Sequence, residues 1–246
     1  MPDYEFRMNR LFVEGPIEAG RPIEADPVQT NYLGNVLRLD AGAMVLVFDG
    51  RSGEWRARVE RHSKRRIELV PQERLREQTQ ASDLHYLFAP LKHARLDYMV
   101  QKAVEMGAGV LRPVMTQHTQ ASRVNVERMR ANAVEAAEQC GILSVPEARE
   151  PEPLGKVLAN WDPARRLVFC DERAAGENPV DALRALPPAP LALLIGPEGG
   201  FSADERDTLL GRPFVMPLSL GPRILRADTA AVAALAVLQA AAGDWR

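Results

Sequence analysis

Between Leu191 and Ala230 the chain twice makes the same move. The apolar run Leu191–Ile195 stops at Gly196-Pro197-Glu198-Gly199-Gly200, and a second run, Phe214–Leu220, stops at Gly221-Pro222-Arg223. Apolar runs this short, closed by Gly and Pro, read as buried strands. Neither glycine nor proline suits the interior of a strand or a helix, so each cluster must be a loop. Ser202 with Glu205 three residues on is a capping box, which starts a helix directly after the first loop. A long Ala-rich helix, Ala230–Ala242, follows the second and is apolar nearly all round. Such a helix needs covering, and its alanines suit close approach of another helix. Strand, loop, helix, strand, loop, helix requires an α/β sheet with both backbone-rich loops at one edge, where folds of this class hold ligands.

These loops are not a phosphate cradle. Gly196, Gly199 and Gly200 fit neither the P-loop spacing nor the Gly-x-Gly-x-x-Gly fingerprint, and no lysine follows them. A ligand held by backbone groups and apolar walls suits them better. One such loop would be an ordinary tight turn, but two, the second carrying Arg223 and Arg226, point to a site.

The chain's 246 residues suffice for one large domain or two modest ones, and a hydrophobic share of 46% is that of a globular protein. No apolar run approaches the ~18 residues of a membrane span, and the N-terminus has no signal-peptide core. Cys140 and Cys170 have no metal-ligand spacing, so no metal is expected, and a cytoplasmic protein is the simplest expectation. The net charge of −2 means that any nucleic-acid surface must be local. One local candidate exists. From Arg51 to Arg66 seven basic residues, Lys64 among them, face two acidic ones, and Arg56 and Arg58 share one strand face.

Residues 1–76 read as a small β-rich domain, with Gln29–Leu39 helical, Met44–Phe48 and Glu54–Glu60 paired as a hairpin, and Arg66–Val70 ended by Pro71. The polar segment 71–82 reads as a linker, and 77–246 as the second domain. There, 84–89 is a strand, Leu96–Glu105 a helix, Val110–Met115 a strand, Val126–Gln139 a helix closed by Gly141, and Leu167–Cys170 a strand between Pro-rich connections. Cys140 is expected to be buried.

The segments IGPEGGFS (195–202) and LSLGPRILRADTA (218–230) resemble the SPOUT methyltransferases, and within them the RsmE family of small-subunit ribosomal RNA uridine-N3 methyltransferases. VQKAVEMG (100–107), EAAEQCG (135–141) and NYLGNVLRL (31–39) resemble the same family. The resemblance implies a C-terminal α/β domain with a deep trefoil knot, a rare exception to the no-knot rule, preceded by a PUA-like RNA-binding domain. It implies that S-adenosylmethionine lies against Ile195, Gly196, Glu198, Gly199, Gly200, Leu218, Leu220, Gly221, Ile224 and Leu225. It implies a homodimer acting on small-subunit rRNA in the 30S particle, with no membrane partner. Arg10 and Arg38, Arg56 and Arg58 of the stripe, and Lys92 and Lys102 become the expected RNA contacts.

The chain departs from the family at three places. Gln117 and His118 stand where many relatives have Glu-Arg, Ala227 stands for Thr, and Asp228 for Glu. Asp228 is expected to cap the last helix. Arg226 is the expected catalytic residue: a fixed guanidinium can stabilise the anion that forms as uracil N3 loses its proton, and it cannot act as a base. Its bland alternative is a salt bridge to Asp228 or to a partner subunit. Methylation of another base or a ribose hydroxyl, and a non-catalytic RNA-binding adaptor, are the other functional readings.

Overall fold

The computed structural model describes residues 8–63, 65–92, 94–174, 176 and 178–245. Lys64 of the basic stripe and the N-terminal residues 1–7 lie outside them. The chain forms two compact units, Met1–Ala81 with Ala137–Val145, and Ser82–Ala136 with Pro146–Arg246.

The first unit contains β1 (Arg10–Phe12), β2 (Ile23–Glu24), α1 (Pro27–Asn31), β3 (Met44–Phe48), β4 (Glu54–Ser63) and β5 (Arg66–Arg76), in the sheet order β1-β3-β4-β5-β2. Its core is the alternating inward set Val45, Val47, Ala57, Val59, Ile67 and Leu69 under Leu33. Asp26 and Gln29 form a capping box at the start of α1, which continues as a π-helical turn, Tyr32–Val36. The helical stretch is shorter than the apolar pattern suggests because Arg38 adopts φ 54°, a left-handed conformation that stops a helix.

The structure departs from the sequence pattern at two points in this unit. Pro71 does not end its strand, since β5 runs on to Arg76 and 71–76 is not linker. Pro71 faces Ala57 where the register shifts between Arg56 and Ala57, a bulge that tolerates its missing N–H. The basic stripe is also less basic than its count. The β4–β5 hairpin brings Glu73 of β5 to within 3.5 Å of Arg56 of β4, while Arg58 pairs along β4 with Glu60 at 2.6 Å and Arg66 along β5 with Glu68 at 2.8 Å. A count along one stretch of chain misses charges that arrive from the returning strand.

Arg10 is not an open cation. It is 8% exposed, bonds Glu54 at 2.6 Å, and donates to the carbonyls of Ala137 and Glu138 at 2.5 and 2.8 Å. Its guanidinium lies over the Phe48 ring. The carboxylate of Glu138 accepts from Phe12 N at 2.8 Å, so the segment 137–145 is held by charge-assisted bonds as well as by Leu143 against Phe48. Cys140 is exposed, contrary to expectation; it is the last residue of its helix, Val126–Cys140.

In the second unit follow β6 (His85–Phe88), α2 (Ala94–Glu105), β7 (Val110–Met115), α3 (Val126–Cys140), β8 (Glu147–Ala148), β9 (Glu152–Pro153), α4 (Leu154–Ala159), β10 (Arg166–Cys170), α5 (Pro179–Arg184), β11 (Leu191–Ile195), α6 (Ala203–Leu210), β12 (Val215–Leu218) and α7 (Ala227–Ala242). The strands are parallel in the order β12-β10-β11-β6-β7-β8. The near-continuous apolar runs of β6, β10 and β11 are what burial on both faces of a parallel sheet requires. Leu87, Val114, Leu167, Phe169, Ala192 and Leu194 pack with Leu154, Val157 and Leu209 on one face. On α7, Gln239 is 3% exposed and donates to Met106 O at 2.7 Å, tying α7 to the end of α2. No helix among the described residues is long and apolar enough to cross a membrane.

His85, on a central strand, has its pKa pushed down to about 4, first by burial and then by the guanidinium groups of Arg165 and Arg149. The unfolded chain takes up this proton near pH 6.5, and the folded one only near pH 4. Stability therefore falls as pH drops through that window, by on the order of 2–3 kcal/mol. Urea midpoints at pH 7 and pH 4.5 should differ less in His85→Gln than in the parent; equal differences would remove His85 as the cause.

Candidate functional site

Strands β6, β7, β10, β11 and β12 run parallel, so the segments that leave them emerge at one edge. Those after β10, β11 and β12 enclose a cavity of ≈ 480 Å³. Ile195, Gly196, Glu198, Gly200, Leu218, Leu220, Gly221, Ile224 and Leu225 line it, as the two Gly-Pro loops suggest. Gly199 is off the wall and packs against the His118 side chain instead. Local chemistry explains the loop shapes. The capping box at Ser202 and Glu205 forms in both directions and fixes where the first loop ends. Gly221 holds φ 101°, a backbone that L side chains rarely adopt. A Cβ at Gly196 would overlap the ring of Phe201, which sits edge-on to Phe169 at 5.0 Å.

A third wall went unread in the sequence. Cys170, the last residue of β10, and Asp171, Glu172 and Ala174 after it also line the cavity. Asp171 is 6% exposed and bonds Arg206 of α6 at 2.9 Å. Burial pushes the Cys170 thiol up to about 12, so it stays protonated. The available signal was two acids directly after a strand, at the edge where ligands bind.

Arg95 of α2 ties the two glycine loops together. Its Nε donates to Asp228 Oδ2 at 2.9 Å and its Nη1 donates to Glu198. Hydrogen bonding to Asp228 and then to Glu198 raises the Arg95 pKa, and the bond from Arg95 holds the Asp228 carboxyl below its usual range. Asp228 is therefore not the helix cap. The N-cap position of α7 is Arg226, without a side-chain cap bond, and Asp228 sits in the first turn with Arg95 as its partner. The Arg226–Asp228 salt bridge, the alternative to a catalytic Arg226, does not form for the same reason. Arg226 is exposed, makes no ion pair among the described residues, and stands between the wall residues Leu225 and Ala227.

The 116–122 loop braces the site. His118 Nδ1 donates to Gly200 O at 3.0 Å, and Gln117 N donates to Glu205 at 2.8 Å. Of the expected RNA contacts in this unit, Lys92 is exposed, whereas Lys102 is held by Glu105 at 2.7 Å and lies over the Tyr98 ring.

The donor set suits a mixed ligand. Leu218, Leu220 and Ile195 offer apolar walls to a flat ring, loop backbone offers hydrogen bonds to its edge, and Glu172 and Glu198 favour positive charge. Glycine at 196 keeps space that a Cβ would take from Phe201.

Residues 78–239 match the RNA methyltransferase domain family, and residues 28–72 match the RNA methyltransferase PUA domain. Ribosomal RNA small subunit methyltransferase E of Rickettsia conorii is 28% identical over 94% of this chain and 94% of its own length. The protein of that name from Synechocystis is 31% identical, over 86% of this chain and 71% of its own. A Legionella pneumophila protein described as a methyltransferase, in complex with the bound cofactor SAM, matches with a TM-score of 0.82 at 32% identity, over 96% of this chain and 98% of that one. A glycine-walled cavity at the carboxyl edge of a parallel sheet, and similarity over nearly the full length, lead to one conclusion: the chain belongs to the RNA methyltransferase family of the ribosomal RNA small subunit methyltransferase E proteins.

Proposed function

We propose that this protein transfers the methyl group of S-adenosylmethionine to N3 of a uridine in small-subunit ribosomal RNA, with the cofactor in the ≈ 480 Å³ cavity. The observation that carries the reading is the conjunction of that cavity with Arg226, a guanidinium at its second loop that no acid neutralises among the described residues. S-adenosylmethionine supplies an activated methyl: the N3–carbon bond forms as the carbon–sulfur bond breaks, and that electron pair leaves with sulfur.

The chain's own residues do the rest. The backbone of 196–200 and 218–221 holds the cofactor in place, which is most of what an in-line displacement needs. Glu198, fixed by Arg95, sets a negative charge beside the sulfonium. The N3 proton passes to solvent, and Arg226 stabilises the charge that builds on the flanking carbonyl oxygens. Arg38, Arg56, Arg58 and Lys92 serve the RNA. Their surface ion pairs, where present, are weak enough to exchange for phosphate. Arg10 and Lys102 are left to structure.

The same reading takes the protein as a cytoplasmic homodimer with a knotted second domain. On α7, Val232, Ala233, Ala236, Val237 and Ala240 form a partly exposed apolar stripe at helical spacing, which fits a partner helix. Strands β11 and β12 flank β10 on opposite sides, an arrangement compatible with threading.

Purified protein, 30S particles and labelled S-adenosylmethionine test the function. Label should enter one uridine, and primer extension should stop there. Label on a ribose or on another base would refute the assignment to N3, and cofactor binding without transfer to any RNA would favour an adaptor.

A further inference from the structure

A second cavity, of ≈ 410 Å³, lies at the same sheet edge. The segments after β6 and β7 form its mouth, and α2 and α3 its sides. We infer that this cavity receives a nucleotide of the RNA substrate adjacent to the one being methylated. The inference rests on the reading of the chain as an RNA methyltransferase and adds a substrate subsite to it.

Charge comes first. Lys92 and Arg123 stand at the mouth, both exposed, and neither makes an ion pair among the described residues. The single carboxylate on the wall, Asp97, is already matched. Arg128 bonds it from both Nε and Nη2, at 2.9 and 2.6 Å, and Asn132 adds a third bond at 2.7 Å. Three cations against one acid leave the cavity positive in a protein of net charge −2. Two neighbouring cations over a concave surface suit a phosphate.

Shape and lining come second. The floor is apolar, with Val100 and Met129 almost fully buried, and Asn125 and Gln120 bring amides to the wall. An apolar floor with amide groups above it suits a splayed base, which needs a face to lie on and partners for its edge. A free inorganic anion would have no use for the floor.

Position comes third. β6 pairs with β11, Phe88 beside Ile195, so the segment carrying Lys92 leaves the sheet next to the first glycine loop. Arg95, three residues beyond Lys92, holds Glu198 and Asp228 of the cofactor cavity. On the other side, the loop that carries Arg123 also carries His118, which bonds Gly200. Both cavities thus share their supporting segments. A polymer with one base at the first has its next nucleotide beside the second.

RNA affinity reads this directly, without dependence on catalysis. Fluorescence anisotropy with a labelled small-subunit rRNA fragment should show Lys92→Ala/Arg123→Ala binding at least tenfold more weakly than the parent. The slope of log affinity against log salt should become shallower by about 0.7 for each phosphate that the variant no longer neutralises. S-adenosylmethionine affinity and Tm should not change. Arg130→Ala, an exposed cation of α3 that does not line the cavity, serves as the control and should weaken binding less than twofold. Ser122→Trp, which fills the mouth and keeps both charges, should also weaken RNA binding. Weakening in the double variant with full binding by Ser122→Trp would mean surface attraction alone and would overturn the subsite, as would equal weakening in Arg130→Ala or none in the double variant. Failure of the parent to methylate RNA while these binding differences hold would count against the proposed reaction and leave the subsite standing.

Discussion

Arg226→Ala should lower kcat for methyl transfer by at least 10²–10³-fold, about 3–4 kcal/mol of transition-state stabilisation, with little change in S-adenosylmethionine affinity. Arg226 is exposed and has no ionic partner among the described residues, so its removal leaves no buried charge behind. Its side chain is also off the cavity wall, while its neighbours Leu225 and Ala227 are on it. Tm should therefore stay within about 1–2 °C of the parent, as for surface substitutions in general. Single-turnover transfer and calorimetric cofactor binding on the same preparation check this. Arg226→Lys should recover part of the rate, because it restores the charge without the fork. A collapse of cofactor affinity together with Tm would show that the residue builds the loop instead.

Arg95→Ala should do the reverse of a purely chemical lesion. It should weaken cofactor binding and lower kcat together, each by about 10-fold or more, since hydrogen bonds to charged groups contribute about 1.5–3 kcal/mol each. The guanidinium holds Glu198 of one glycine loop and Asp228 at the end of the other. Without it, two carboxylates face one another with no cation between them, and the loops lose their common anchor. Asp228→Asn should reproduce part of the effect, and Arg95→Lys should restore less than the parent because it cannot reach both acids in a fixed fork. The pH dependence separates the clamp from the chemistry. The Asp228 carboxyl is held below its usual range by Arg95, so the clamp is present above the unfolded pKa and fails only as pH falls through the lower folded value. Across pH 6–9 the clamp contributes no slope, and any rise in rate there belongs to loss of the N3 proton. A variant with unchanged cofactor affinity would remove Arg95 from the site's architecture.

Much of this site was legible in local chemistry. Glycine and proline stop an apolar run wherever they stand, so both loops, their strands and the capping box at Ser202 could be placed along the chain. Alternation marked the inward face of the hairpin in the first unit. These are properties of neighbours in sequence, set by backbone sterics and by which side chains share a face. Errors arose where a second stretch of chain decided the outcome. Arg10 read as an RNA contact until Glu54 and the carbonyls of 137 and 138 were found around it. Asp228 read as a cap until Arg95 took its carboxylate. Arg56 of the basic stripe read as open until the strand that pairs with it brought Glu73 alongside.

Two backbone-rich loops at the edge of an α/β sheet follow from residue order alone, because glycine, proline and short apolar runs act over a few positions. Which charges stay open is a matter for the folded chain. Arg226 and Lys92 lack an ion-pair partner among the described residues while Arg10 and Arg95 are committed, because an ion pair forms with whatever folding brings alongside, at separations of 44 residues for Arg10–Glu54 and 133 for Arg95–Asp228. No periodicity along the chain carries that information.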